Sequence, residues 1–240
     1  MSVLYPYSPD GLEKAIGYKF TDRSHLMLAL THSSYCNEQK AKEIQCECNE
    51  RLEFLGDSVL SYITSQYLYK TFPKLPEGHL SPIRAAAVCE KTLFKLAQGI
   101  SLGDYLYFGR GESTSGRTSP SILADAFEAL LAAIFLDGGI EPVSEFLLPR
   151  IVKEIDLIVS SGSYLDFKTE LQQLVQKEKG SVLEYVTVNE TGPAHKRVFE
   201  VEARLNGNVV GHGTGNSKRS AAQIAAREAL SLFGIHITAQ

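Results

Sequence analysis

Three carboxylates, Glu50, Glu53 and Asp57, stand within the stretch Asn49-Glu50-Arg51-Leu52-Glu53-Phe54-Leu55-Gly56-Asp57-Ser58-Val59-Leu60. On a helix, at roughly 100° per residue, spacings of three, four and seven share one face. The three acids therefore form one stripe, beside an apolar stripe of Leu52, Leu55 and Val59. Like charges so spaced repel by about 0.2–0.5 kcal/mol per pair even when exposed. Beside neighbours this apolar the repulsion grows, unless a proton or a cation neutralises it. A second pair, Asp125 and Glu128, lies three apart in the run 121–136, whose other residues are all uncharged. A helix so apolar is buried nearly all round, and unpaired buried carboxylates cost several kcal/mol. Two acidic clusters that both need a cation predict one shared metal site. The alternatives are a solvated acidic face paired by Arg51, and a structural ion pair from the second cluster to Arg84 or Arg110.

The helix bearing the first cluster is expected from Asn49, as N-cap, to about Thr71, where Pro73 stops it. Gly56 inside it costs about 1 kcal/mol against Ala and marks close approach of another helix. The second cluster needs a buried helix over Ser121–Leu136, ended by Asp137-Gly138-Gly139. Around these, Gly11–Leu30 reads as two short helices, the second capped by Thr21 or Asp22. His32 reads as a hydrogen-bonded residue at a helix end, with substrate contact as the alternative. Asn37–Glu47 has no period and reads as a loop, Glu77-Gly78 as a turn, and Leu80–Ile100 as one helix. Leu106–Pro120, rich in Gly, Ser and Thr, reads as another loop, and Glu141–Val159 as a last amphipathic helix.

After the small, flexible Ser160–Ser163 the period changes. Asp166–Lys177 is helical. Leu183–Val188, Val198–Leu205 and Val209–Thr214 alternate as strands, with a turn at Asn189–Pro193 and a hairpin at Asn206-Gly207. Ser217 caps a final helix that ends at Gly234. The expectation is a multidomain chain: an all-α domain over residues 8–139 with helices continuing to about 159, a linker at 160–164, and a small α+β (α-β-β-β-α) domain over 165–234.

Composition restricts the class. The chain has 240 residues, 44% hydrophobic and 22% charged, as soluble globular proteins do. No apolar run approaches the roughly 18 residues that span a bilayer, and residues 1–10 lack the basic region and apolar core of a signal peptide. The four cysteines form no CxxC pairs and are expected as free thiols in a reducing, cytoplasmic setting. Net charge is −4, which taken whole disfavours nucleic acid. It is unevenly spread: residues 1–163 carry 15 basic and 20 acidic side chains, residues 164–240 carry 9 and 8. The second part is thus net positive.

Asn49–Asp57 resembles the signature of the ribonuclease III family, and Ser121–Leu130 resembles that family's second acidic motif. Thr31-His32-Ser33-Ser34-Tyr35 and Glu77-Gly78-His79-Leu80-Ser81 also match the bacterial pattern. The C-terminal part is similar to a double-stranded RNA-binding domain: Lys168–Gln172 opens it, Gly192-Pro193-Ala194-His195 forms its loop, and Gly213–Ala226 carries its last helix. The chain departs from the pattern in a shorter, less basic Ser115–Ser119, in Ala222 where a third basic residue is frequent, and in Asn49 where His is common.

The resemblance implies an endoribonuclease acting on double-stranded RNA as a homodimer. It implies 5′-phosphate products with short 3′ overhangs, and roles in processing ribosomal, messenger and transfer RNA. It makes Glu53, Asp57, Asp125 and Glu128 the metal site, Asp57 and Glu128 catalytic, and Glu50 a supporting neighbour near the dimer interface. Four carboxylates without His or Cys suit Mg2+, with Mn2+ as a substitute, and phosphodiester hydrolysis needs the activated water and charge neutralisation such ions provide. No membrane association and no small-molecule cofactor beyond metal are expected. Duplex RNA is read through minor-groove 2′-hydroxyls and phosphates. Thr169, Glu170, Gln172, Gln173 and His195 are matched to the grooves, and Lys218 and Arg219, at a helix start, to phosphates. A reading of a different class is a non-catalytic duplex-binding protein whose helical part only dimerises.

Overall fold

Ser8 and Asp22 open the first two helices, α1 (Pro9–Ile16) and α2 (Arg23–Ala29), their side chains accepting from the N–H groups of Asp10 and Ser24. The computed structural model describes residues 6–112, 115–162, 164–178, 180–193 and 196–235. The chain divides into two units, Met1–Tyr164 and Leu165–Gln240. Between α1 and α2, buried Glu13 accepts from the N–H of Phe20 and pairs with Arg23.

The polar run expected as a loop is partly helical, because α3 spans Ser33–Lys40. Its single buried residue, Cys36, leaves no apolar period to read. It is held from outside instead: Ser34 Oγ accepts from Gly109 N at 3.1 Å and Glu38 Oε2 from Arg110 N at 2.9 Å. Ahead of it Thr31 bridges Tyr107. The free-thiol expectation is also corrected for two cysteines, since Cys36 and Cys46 are disulfide-bonded, while Cys48 and Cys89 are free. The chain turns back after α3 and brings the two Cα atoms to 5.2 Å, within bonding range.

The acidic helix is α4 (Glu50–Thr71). Asn49 does not cap it through its side chain; it is buried, and its amide donates to Ala29 O at 3.4 Å. The single helix expected over Leu80–Ile100 is two, α5 (Glu77–Ala87) and α6 (Glu90–Gly99), parted where Cys89 turns extended. Glu77-Gly78 belongs to the first turn of α5 rather than to a separate turn, following an extended Pro76. Short 3-10 turns at Leu102–Tyr105 and Gly116–Thr118 lead to α7 (Pro120–Gly138), and α8 (Ile140–Ser161) follows, longer at its end than the sequence suggested. No helix among the described residues is long and apolar enough to cross a membrane.

The core of this unit is α7. Ten of its residues between Leu123 and Ile134 are buried, and α2, α4, α6 and α8 pack around it. Its far end is latched by Asp137, which accepts from Tyr18 Oη at 2.5 Å and from the N–H groups of Thr21 and Asp22 at 2.9 and 2.7 Å. Where α4 crosses α7, a Cβ on Gly56 would collide with the main-chain carbonyl of Glu128.

In the second unit α9 (Phe167–Val175) is capped by Asp166. Strands β1 (Leu183–Thr191), β2 (Val198–Leu205) and β3 (Asn208–Gly215) form an antiparallel sheet in that order, followed by α10 (Lys218–Leu232), which Ser217 caps. The turn expected from Asn189 starts later, because β1 continues past an irregularity at Thr187/Asn189 to pair Thr191 with Val198. Asn206 and Gly207, with φ of +51° and +82°, make the tight hairpin. Gly211 and Gly213 bring β3 so close to α10 that a Cβ would meet the carbonyls of Ala225 and Ala221. Leu171, Val175, Ala203, Ala226 and Leu230 complete the buried layer between helices and sheet.

Gly56→Ala is therefore expected to force α4 off α7 and to destabilise the first unit by about 1–3 kcal/mol or more. Chemical denaturation of the variant beside the wild type measures this. An unchanged midpoint would mean that the contact is not tight.

Candidate functional site

All four carboxylates of the expected metal site come from the α4–α7 crossing. Glu53 and Asp57 lie four residues apart on α4, flanking Gly56; Asp125 and Glu128 lie three apart on α7, so each pair shares a helix face. Asp57 and Glu50 are exposed, whereas Glu53, Asp125 and Glu128 are half-buried. The apolar residues that bury α7 thus also desolvate its acids.

The electrostatics show that these groups crowd one another. Burial, then the charges of Asp57, Asp125 and Glu53, push the Glu128 carboxyl up from 4.5 to about 7. Burial and the neighbouring Asp125 and Glu50 also raise Glu53. Asp125 is raised by burial and by Glu90, against an opposing pull from His32. Among the described residues, however, no three His, Cys, Asp or Glu side chains stand close enough together to hold a metal ion as placed. The donor set nonetheless suits a hard divalent cation: oxygen ligands only, on two helices in backbone contact, with mutual repulsion for a cation to relieve.

Two residues outside the acidic motifs also border this site. His32, at the start of α3, accepts through Nδ1 from Ser34 N at 3.2 Å, a bond that keeps its proton on Nε2. Burial lowers its pKa, opposed by Glu112, Asp125 and Glu50. The sequence marked it as a helix-end histidine, and the hydrogen bond is of that kind, but its nearness to Asp125 had no local signal. Glu90, at the first position of α6, was missed as well, because the break between α5 and α6 that brings it there was not anticipated.

In the second unit, Thr169, Gln172 and Gln173 of α9 line one open groove of about 670 Å³ together with Arg219 of α10. Lys168, Tyr185 and Gln223 line it too. The Lys168 ammonium stands 4.6 Å from the Tyr185 ring centre. Thr169 Oγ1 donates to Asp166 at 3.0 Å, so its hydroxyl already serves the helix cap. Lys218 is exposed beside the Phe199 ring, 5.7 Å from its centre, rather than in the groove. Glu170 is half-buried on α9 and does not line the groove. His195 lies outside the described residues.

The chain is similar to known proteins along both units. A family model described as Ribonuclease-III-like matches residues 22–155, and one described as a double-stranded RNA binding motif matches residues 167–232. A protein named Ribonuclease 3 from Caldanaerobacter subterraneus subsp. tengcongensis is 47% identical over 225 residues, covering 93% of this chain and 97% of that protein. Ribonuclease 3 from Geobacillus sp. (strain WCH70) is 47% identical over 223 residues, covering 91% and 88%. Among solved structures, the nuclease domain of ribonuclease III from Campylobacter jejuni matches at 40% identity with a TM-score of 0.55. It covers 61% of this chain and 97% of that one.

The raised Glu128 carboxyl has a defined consequence for the metal-free protein. Between about pH 4.5 and pH 7 the folded state holds a proton there that the unfolded state has released. Stability is therefore expected to fall as pH rises through that window, by on the order of 1–3 kcal/mol. Glu128→Gln should flatten the slope and stabilise the metal-free protein at pH 8, as measured by urea unfolding in chelator. A slope unchanged by the substitution would show that Glu128 is not the group involved.

Proposed function

As a member of the ribonuclease III family the chain is an endoribonuclease specific for double-stranded RNA, and we propose that Glu53, Asp57, Asp125 and Glu128 hold the magnesium ions it works with. The observation that carries this reading is the meeting of two acidic pairs at a helix crossing too tight for any residue but glycine. Mn2+ is the expected substitute, sharing a preference for oxygen ligands. Bound ions supply charge neutralisation at the scissile phosphate and a water acidic enough to attack it. The protein's own part is to hold four carboxylates against their repulsion, Glu53, Asp125 and Glu128 in partial burial. Asp57 and Glu128 are assigned to the reacting centre, and Glu50, exposed in the first turn of α4, supports them from outside. Holding the ions would require these side chains to move closer together than they stand in the metal-free protein.

The groove on α9 and α10 is assigned to the RNA. Gln172 and Gln173 offer donors and acceptors for 2′-hydroxyls and base edges. Arg219 and Lys218 add charge at the positive end of α10, where phosphates bind. Glu170 and His195 remain proposed contacts on the resemblance alone. A homodimer is supported by aromatic side chains that α4 leaves in water, Phe54 at 80% exposure and Tyr69 at 75%, since exposed apolar surface of this kind marks an interface. The Campylobacter jejuni structure is itself described with a region involved in dimer formation. Products with 5′-phosphates and short 3′ overhangs, ribosomal RNA precursors and other structured transcripts as substrates, and a cytoplasmic setting belong to the same proposal.

Incubating a long RNA duplex with the protein and magnesium tests the assignment. Wild type should cut it, chelator should stop cutting, and Glu128→Gln should lower the rate by about a hundredfold or more while duplex binding persists. Binding without any cutting by wild type would favour the non-catalytic reading instead. Lys218→Ala and Arg219→Ala should each weaken binding evenly across sequences and lower the salt slope by about one. A filter-binding series in salt measures that, and an undiminished slope in both would move the RNA surface elsewhere.

A further inference from the structure

The bonded pair Cys36 and Cys46 belongs neither to the carboxylate site nor to the groove of the second unit. We propose that this pair is a reversible redox staple that fixes the connection carrying the chain from α3 into Glu50 and Glu53. Its effect on RNA cleavage rests on the nuclease reading above; its effect on the connection does not.

Cys36 is 2% exposed and fixed within α3, which is tied to the segment ahead of α7 through Ser34 and Glu38. Cys46 is half-buried in the connection 41–49. The early part of that connection is closed by bonds from Lys42 N and Ile44 N to Gln39 O at 2.8 and 3.0 Å, and from Glu43 N to Lys40 O at 2.9 Å. Its end is anchored by Asn49 N donating to Thr31 O at 2.9 Å. Among the described residues, no backbone–backbone hydrogen bond involves Gln45, Cys46, Glu47 or Cys48. The sulfur bridge is what holds this middle part to α3. Glu50 follows Cys46 by four residues, so the bridge anchors the chain just ahead of the acidic helix.

The chemistry needs an oxidant of the low-molecular-weight disulfide class, such as oxidised glutathione. The Cys46 thiolate, the more accessible of the two, attacks the oxidant and displaces one glutathione thiolate. The Cys36 thiolate then attacks the Cys46 sulfur and displaces the second. The protein loses two electrons and two protons, and both released glutathiones end as thiols. Glutathione attack on the Cys46 sulfur runs the sequence backwards and frees the connection. Cys48, two residues on and half-buried, is the thiol placed to compete with Cys46 for Cys36.

The test equilibrates the full-length protein in reduced or oxidised glutathione and reads three quantities: alkylatable thiols, trypsin cutting after Lys40 and Lys42, and duplex RNA cleavage at limiting magnesium. In oxidised buffer two thiols should alkylate and a Cys36–Cys46 peptide should appear by mass. Tryptic cutting should slow several-fold, and RNA cleavage should be several-fold faster than in reduced buffer. Cys46→Ser should erase both differences, while Cys89→Ser should preserve them. Four alkylatable thiols in every buffer, or a trypsin rate indifferent to redox state, would overturn the staple without needing any variant. A response that survives Cys46→Ser but not Cys48→Ser would overturn the assigned pair. A staple that forms while RNA cleavage stays constant would overturn its control of the site. If neither form cuts RNA, the nuclease reading fails, and the first two measurements still judge the staple.

Discussion

Where α4 crosses α7, the main-chain carbonyl of Glu128 occupies the space that a side chain at Gly56 would need. This close approach is the constraint on which the first unit depends. Carboxylates on two helices repel, and α7 is desolvated by the helices around it. Only the packing energy of its apolar residues, on the order of 1.5–3 kcal/mol for each large side chain buried, can hold the acids so near. The fold supplies that energy away from the acids, at Phe127, Leu130, Leu131 and Ile134, all fully buried. Stability is thus spent on keeping mutually repelling carboxylates on two packed helices.

The second unit solves a different packing problem with the same device. Its sheet must lie against α10 with little volume between them, and the small residues of β3 and α10 meet backbone to backbone. The gain is a thin, rigid layer that presents α9 and the start of α10 on one surface. That arrangement leaves the polar side chains Gln172, Gln173 and Arg219 free to line an open groove, since none of them is needed for the core.

The sequence made the acidic clusters, the burial of α7 and the hairpin at Asn206-Gly207 legible, because each is written in a local pattern: charge spacing, continuous apolarity, a turn dipeptide. The close approach at Gly56 was legible for the same reason, as a costly glycine inside a strong helix. Features held by distant partners were not. The helix α3 has one buried residue and takes its order from Gly109 and Arg110, more than seventy residues away. The break between α5 and α6 follows from an extended Cys89 that no proline or glycine announces. The neighbourhood of His32, Glu90 and Asp125, and the pairing of Cys36 with Cys46, are likewise products of the assembled fold. The glycines of β3 at alternate positions, facing alanines four apart on α10, were a pattern in plain view that a search for apolar periods passes over.

The latch at Asp137 bears on how the chain reaches this state. One carboxylate receives the Tyr18 hydroxyl and the N–H groups of Thr21 and Asp22 across as many as 119 positions of sequence. During synthesis the first two helices therefore emerge well before the residue that locks them, a wait on the order of ten seconds at ribosomal speeds. Contacts of such separation close late and slow the search. Until α7 is complete, α2 lacks the helix its apolar face packs against, so the amino-terminal part of this unit has to wait for α7 before it can be locked in place.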